Sequence, residues 1–216
     1  MSTTVFLDLD GTLTDPKIGI TKSIRYAMAK LGSPLPNNFD LDWTIGPSLW
    51  YSFKELGLGN SETDKAINYY RERYTEIGLF ENYVYEGIYE ALQMLKENNI
   101  IMHLMTSKPH IYARKITANF NLSNFLTYEF GSELSGKNTN KADLIREALD
   151  YLKLIPQEAI MVGDRKFDII GAKENSIRTV GVLWGYGSKE ELEAELPDIL
   201  IETPENLAKT ILKMGN

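Results

Sequence analysis

Val5-Phe6-Leu7-Asp8-Leu9-Asp10-Gly11-Thr12-Leu13-Thr14-Asp15 joins an apolar run to two aspartates one residue apart, and a glycine then permits an abrupt turn. Residues 3–9 are apolar and bulky, the pattern of a short, fully buried strand. Such a strand delivers two carboxylates to its own carboxyl end, where unpaired buried charge is costly. Two like charges about 4 Å apart near a protein surface repel by about 4 kcal/mol at an effective dielectric of about 20. A bound cation relieves that repulsion. An oxygen-only cluster without His or Cys suits a hard ion such as Mg2+.

Beyond this strand the pattern turns helical. Ile18, Ile20, Ile24, Ala27, Met28 and Leu31 recur on one face, and Gly32 stands where a helix stop belongs. Residues 33–38 (Ser-Pro-Leu-Pro-Asn-Asn) read as a loop, followed by a short helix over 47–56 and another over 61–78. Ser61 with Asp64 resembles a capping box at the start of the latter. From residue 87 the elements alternate. Helices are expected at 87–98, 109–120, 140–152, 166–175, 188–195 and 204–213, with strands at 100–106, 126–130, 159–162, 177–183 and 198–201. Strands alternating with helices imply an α/β fold, a Rossmann-like parallel sheet covered by helices on both faces. Residues 1–15 and 83–216 would form this core, with 16–82 an all-helical insertion after the first strand.

Of the 216 residues, 43% are hydrophobic and 25% charged, which fits one globular domain plus an insertion or two small domains. A net charge of −7 without a basic stripe argues against a nucleic-acid polymer or an acidic membrane surface as partner. With no cysteine, disulfides, thiolate metal sites and a cysteine nucleophile are excluded, and a reducing cytoplasm is compatible. Asp8 and Asp10 interrupt the region where a signal peptide needs an apolar core. No apolar stretch approaches the ~20 residues of a membrane span. A cytoplasmic protein, monomeric or homodimeric, is expected.

Ligand sites in open parallel sheets lie beyond the carboxyl ends of the strands. Asp8 and Asp10 end the first strand, Thr106-Ser107-Lys108-Pro109 ends the strand at 100–106, and Gly163-Asp164-Arg165-Lys166-Phe167-Asp168 ends the strand at 159–162. Lys141 opens a helix after a loop rich in glycine and asparagine. Taken singly, each has a plain structural explanation. Thr106 and Ser107 could cap a helix, Lys141 could be a solvated charge, and Asp164 and Asp168 could serve a turn and a helix start. Their meeting at one end of one sheet, in one order, favours a site.

These residues resemble the haloacid dehalogenase-like hydrolases, specifically phosphatases with a helical cap inserted after the first strand. The Asp-x-Asp-Gly-Thr motif at Asp8, the ordered Thr106 and Lys141, and Gly163-Asp164 with Asp168 carry the resemblance, which covers nearly the whole chain. Ile45-Gly46-Pro47-Ser48-Leu49, Thr106-Ser107-Lys108-Pro109, Met161-Val162-Gly163-Asp164-Arg165 and Gly185-Tyr186-Gly187-Ser188 narrow it to the bacterial 5′-nucleotidase-like and phosphoglycolate phosphatase-like group. Arg165 stands where many relatives carry a small residue.

The resemblance implies a Mg2+-dependent phosphoric monoester hydrolase acting on a small phosphoester through an aspartyl-phosphate on Asp8. Asp8, the Asp10 backbone carbonyl and Asp164 would hold the metal, with Asp168 supporting it directly or through water. Asp10 would protonate the leaving oxygen and later activate water. Lys141 would offset the charge of Asp8 and phosphate. Thr106, Ser107 and backbone N–H groups around Gly11 would bind phosphoryl oxygens. Relatives that cleave carbon–halogen bonds lack the second aspartate, so Asp10 favours phosphoester chemistry. A sugar phosphomutase on the same scaffold and a non-catalytic regulatory relative are the rival readings.

His103, inside an apolar strand, is read as a satisfied core histidine. His110, at a helix start beside the phosphate loop, is a weaker candidate for substrate contact. Lys108 is read as either a surface charge or a substrate contact. Thr44, Ile45, Gly46 and Ser48 lie in a loop resembling the family's specificity loop. The insertion's aromatics (Tyr26, Trp43, Trp50, Tyr51, Phe53, Tyr69, Tyr70 and Tyr74) should mostly pack on one another, with Trp43 and Trp50, beside that loop, left open as base-stacking candidates.

Overall fold

β1 (Thr4–Leu7) is buried on both faces at the centre of a parallel sheet in the computed structural model, which describes residues 3–215. Two short strands, β2 (Thr14–Asp15) and β3 (Tyr83–Val84), stand outside this sheet. The remaining sheet strands are β4 (Ile101–Pro109), β5 (Tyr128–Ser132), β6 (Ala159–Gly163), β7 (Arg178–Val182) and β8 (Ile199–Ile201). The order β5-β4-β1-β6-β7-β8 makes a six-stranded sheet in which each pairing is parallel.

The chain builds β4 and β5 on one side of β1, then crosses back to build β6, β7 and β8 on the other. That reversal opens a crevice at the carboxyl ends of β1, β4 and β6. β1 aligns Thr4 with both Ile101 and Ala159, and Leu7 with Leu104 and Val162, so β1 and β6 end nearly level while β4 runs on to Pro109 beside the segment that follows β1. Their charged segments therefore emerge together.

The helices of this unit are α4 (Ile88–Glu97), α5 (His110–Asn119), α6 (Lys141–Leu152), α7 (Lys166–Glu174), α8 (Lys189–Ala194) and α9 (Leu207–Gly215). Phe6, Met105 and Met161 project from β1, β4 and β6 into one apolar cluster with Leu144, Ile145 and Ala148 of α6 and Ala172 of α7. Alternation sends Val5, Leu7, Leu104 and Val162 to the opposite face, where they too are buried. His103 is buried beside the rings of Phe6, Tyr128 and Phe130, and its Nδ1 accepts the Tyr128 amide at 3.2 Å. It is the core histidine expected from the sequence. Burial pushes its pKa down to about 4.

The described residues through Asp15 and from Val84 onward form one compact unit, and Pro16–Tyr83 form another. The second unit consists of α1 (Lys17–Lys30), a 3-10 turn (Asp42–Thr44), α2 (Leu49–Glu55), and α3 (Asn60–Arg73), which runs into a π-helical turn (Tyr74–Gly78). Phe53, Tyr70 and Tyr74 form its aromatic core, with Tyr70 and Tyr74 stacked at 5.0 Å. α1 approaches the π-turn closely, since a Cβ on Gly19 would lie 2.0 Å from the Gly78 carbonyl oxygen.

Two local expectations change. α3 begins at Asn60, and its start is held by Glu62, which accepts the Gly59 amide at 3.0 Å, in place of the anticipated Ser61–Asp64 pair. Residues 204–206 form a 3-10 turn ahead of α9, since Pro204 sits where a tight turn needs no amide donor. No helix among the described residues is long and apolar enough to cross a membrane.

Candidate active site

Asp8 follows β1 and remains tied to the sheet, its amide donating to the Val162 carbonyl at 3.0 Å. Asp164 follows β6, and Asp168 lies in the first turn of α7, where its Oδ2 accepts the Arg165 amide at 3.1 Å. A carboxylate at a helix N-terminus is locally favourable. One oxygen from each of Asp8, Asp164 and Asp168 lies within 4.8 Å of the others, and all three residues are buried. Three carboxylates so confined, with oxygen donors alone, make a cluster suited to a hard divalent cation.

Lys141 is the first residue of α6, placed by the Asn140 cap, whose side chain accepts the Ala142 and Asp143 amides. A cation at a helix N-terminus opposes the helix dipole. The placement is offset by anions. Lys141 Nζ donates to Asp8 Oδ1 at 2.9 Å and to the Met105 carbonyl at 2.8 Å, and it forms an ion pair with Asp168 Oδ1 at 2.8 Å. Burial pushes the Lys141 pKa down, but Asp168 and Asp8 beside it more than reverse that, and the net direction is up.

In the carboxylates burial prevails and disfavours the charged form. Burial, reinforced by the charges of Asp168 and Asp8, raises the Asp164 pKa well above the ordinary range. Burial raises Asp168 to about 6 despite the ammonium of Lys141. Asp10 is also raised, first by burial, although Lys108 pulls the other way. The cluster thus carries more negative charge than one lysine neutralises comfortably.

Glycines supply the room. A Cβ on Gly11, whose φ is +86°, would lie 2.1 Å from Asp164 Oδ2. A Cβ on Gly163 would lie 2.2 Å from Asp168 Cγ, and one on Gly185 would lie 2.3 Å from Asp164 Cβ. The amide of Gly11 donates to the Thr14 carbonyl at 2.8 Å, so the contribution visible at Gly11 is close approach to Asp164. Thr12 Oγ1 donates to Asp164 Oδ1 at 3.2 Å, and the Tyr186 amide donates to Oδ2 at 2.8 Å.

Sequence reasoning assigned no role to Thr12, Gly163, Gly185 or Tyr186. The Gly185-Tyr186-Gly187 run was the available signal, because glycines flanking one residue mark a backbone that must approach another closely. Tyr186 also donates through its hydroxyl to Asp15, and Trp184 Nε1 donates to the Thr12 carbonyl at 3.0 Å. The loop after β7 is therefore stitched to the turn after β1.

Thr106 is buried at the end of β4, its hydroxyl accepting the Lys108 amide at 3.2 Å. Lys108 is paired with Asp10, and its side chain is only 7% exposed, so it is not a surface charge. Ser107 offers its carbonyl to the Ser132 hydroxyl at 2.7 Å. His110 Nδ1 lies 3.1 Å from the Ser132 carbonyl, a structural contact. Arg165 pairs with Glu191, its Nε donating at 2.9 Å.

Thr44, Ile45, Gly46 and Ser48 belong to the helical unit. Thr44 and Ile45 are buried, the Thr44 hydroxyl donates to the Leu41 carbonyl at 2.6 Å, and Gly46 has φ +105°. Ser48 caps α2 by accepting the Tyr51 amide at 3.2 Å. Trp43 Nε1 donates to the Asp40 carbonyl at 3.2 Å, whereas Trp50 is 40% exposed with Lys54 over its ring.

A family described as haloacid dehalogenase-like hydrolase matches residues 5–182. A 5′-nucleotidase of Pseudomonas aeruginosa is 41% identical over 194 residues, covering 89% of this chain and 88% of that protein. The tyrosine-protein kinase PtkA of Mycobacterium tuberculosis is 34% identical over 189 residues, covering 88% of this chain and 65% of its own length. Among solved structures, a predicted phosphatase from Clostridium acetobutylicum has a TM-score of 0.93 at 37% identity, with 99% of each chain covered. Matched along most of its length and across its acidic cluster, the chain belongs to the haloacid dehalogenase-like hydrolase family.

Proposed function

We propose that this protein is a Mg2+-dependent phosphatase that hydrolyses a small phosphate monoester, of the 5′-nucleotide or phosphoglycolate type, through an aspartyl-phosphate on Asp8. The observation that carries this reading is the lysine-bridged carboxylate cluster: Lys141 Nζ lies 2.9 Å from Asp8 and 2.8 Å from Asp168, with Asp164 in the same 4.8 Å group. The 5′-nucleotidase of P. aeruginosa supports hydrolysis of a small phosphate monoester.

The oxygen donors of Asp8, Asp164 and Asp168, with the Asp10 carbonyl, fit Mg2+, which when bound would supply positive field to the transferring phosphoryl oxygens. With its side chain 11% exposed, Asp8 is the carboxylate of the cluster most open to substrate, and Lys141 holds its Oδ1 in place. In the first half-reaction an Asp8 oxygen attacks phosphorus in line, the bond from phosphorus to the leaving oxygen breaks, and Asp10 gives that oxygen a proton. The raised pKa of Asp10 suits a group that must hold a proton before giving it up. In the second, Asp10 takes a proton from water as the water attacks phosphorus. Inorganic phosphate leaves and Asp8 is restored. Thr106 and Ser107 would hold phosphoryl oxygens, and the unit Pro16–Tyr83 would act as the cap.

A panel of phosphoesters assayed with Mg2+ and with chelator tests this. Phosphate release that needs the metal and is lost in Asp8→Asn is expected. No metal-dependent release from any member, or undiminished release in Asp8→Asn, would refute it.

A further inference from the structure

Strands β4 and β5 pair regularly from His103 opposite Tyr128 to Thr106 opposite Gly131, but the next pair is Pro109 with Ser132. β4 advances three residues there while β5 advances one, so Ser107 and Lys108 bulge from the ladder. Bulges beside sites re-aim side chains.

This bulge is held from several directions. The Lys108 amide donates to Thr106 Oγ1 at 3.2 Å, and Ser132 Oγ donates to the Ser107 carbonyl at 2.7 Å. Gly131 leaves room for it, since a Cβ there would lie 2.8 Å from the Lys108 carbonyl oxygen and 3.0 Å from His110 Cα. The result carries the Lys108 ammonium across to Asp10 on the neighbouring strand end, where the two side chains are 7% and 12% exposed. Removing an ammonium from water is costly, so a solvated lysine would be the cheaper solution. Its position has a consequence for substrate. An oxygen that takes a proton from Asp10 must lie within about 3 Å of that carboxylate. The next atoms of the leaving group then lie beside Lys108.

We propose that Lys108 is a specificity-determining residue that selects phosphate monoesters whose leaving group carries its own negative charge close to the ester oxygen, as the carboxylate of phosphoglycolate does, over neutral leaving groups such as nucleosides. The proposal rests on the phosphatase reading above and narrows its substrate class. A buried ammonium attracts an anion at that position and gives a neutral alcohol no equivalent partner.

The test compares 2-phosphoglycolate, 2-hydroxyethyl phosphate of similar size, and uridine 5′-monophosphate on the full-length Mg2+-loaded protein. In the wild type, kcat/KM for phosphoglycolate should exceed that for hydroxyethyl phosphate by about 10- to 100-fold, the worth of one hydrogen bond to a charged group. Lys108→Met should bring the ratio close to one, and Lys108→Arg should keep it. Circular dichroism and urea unfolding of Lys108→Met check that the variant folds. Three results would overturn the assignment: a ratio unchanged in Lys108→Met, an equal fall for all three substrates, or a wild type that prefers the neutral leaving groups. Absence of metal-dependent release from all three in the wild type would instead overturn the phosphatase reading and this proposal with it.

Discussion

Replacing Lys141 with methionine keeps the stem of the side chain and removes one charge from the middle of three buried carboxylates. At 2.9 Å and an effective dielectric of about 20, a single ammonium–carboxylate contact amounts to about 6 kcal/mol of Coulomb energy. Lys141 makes two such contacts. The cost of burying the ammonium itself disappears in the variant, so the net loss is smaller, about 3–5 kcal/mol at pH 7.5 without metal, as when one partner of a buried pair is removed.

The loss should depend on pH. Asp168 titrates at about 6, and Asp164 is raised as well. For a carboxylate with a folded pKa above its unfolded one, the folded state binds more protons, so stability falls as pH rises through that window. At pH 5 Asp168 can neutralise by taking a proton, and the penalty of the missing lysine should shrink. Urea denaturation of wild type and variant at pH 5 and 7.5, with chelator and then with Mg2+, measures this. Mg2+ at about 100 times its Kd should return about 2.7 kcal/mol to either protein at pH 7.5, and less at pH 5, where protons compete for the same oxygens. A variant as stable as wild type at pH 7.5 in chelator, or a penalty larger at pH 5, would refute the reasoning.

Gly185→Ala places a methyl 2.3 Å from Asp164 Cβ and 2.4 Å from the Gly11 carbonyl oxygen, so backbone must move. A loss of about 1–3 kcal/mol of stability in urea and a weaker Mg2+ isotherm by calorimetry are expected, and unchanged binding would show the glycine to be dispensable. His103 should be neutral at pH 7 and take a proton only near pH 4. Its folded pKa lies below the unfolded one, so the contribution of His103 to stability should fall by about 3 kcal/mol as pH drops from about 6.5 to 4. His103→Phe, measured by thermal or urea unfolding across that range, should flatten the portion of the curve due to this residue while leaving phosphate release intact.

Much of this protein is legible from local pattern alone. Four buried residues ending in Asp8-Leu9-Asp10-Gly11 form a strand with carboxylates at its end because the side-chain period of two and the turning freedom of glycine are properties of neighbouring residues. The alternation of strands and helices after residue 87 likewise follows from short-range periodicity, and it implies the parallel sheet. Element ends were less legible, as at Ser61, where the anticipated Ser61–Asp64 pair gave way to Glu62, which accepts the Gly59 amide.

What tertiary structure alone decided is where side chains distant in sequence meet. Lys108 reaches Asp10 over 98 positions, Lys141 reaches Asp8 over 133, and Thr12 reaches Asp164 over 152. Lys141 could be anticipated because its family pattern marks it. The turn of Lys108 toward Asp10 could not, since it depends on a bulge that exists only when β4 pairs with β5. The glycine walls around Asp164 and Asp168 are of the same kind. A missing Cβ leaves no periodic trace, and its value appears only when another strand's carboxylate fills the space.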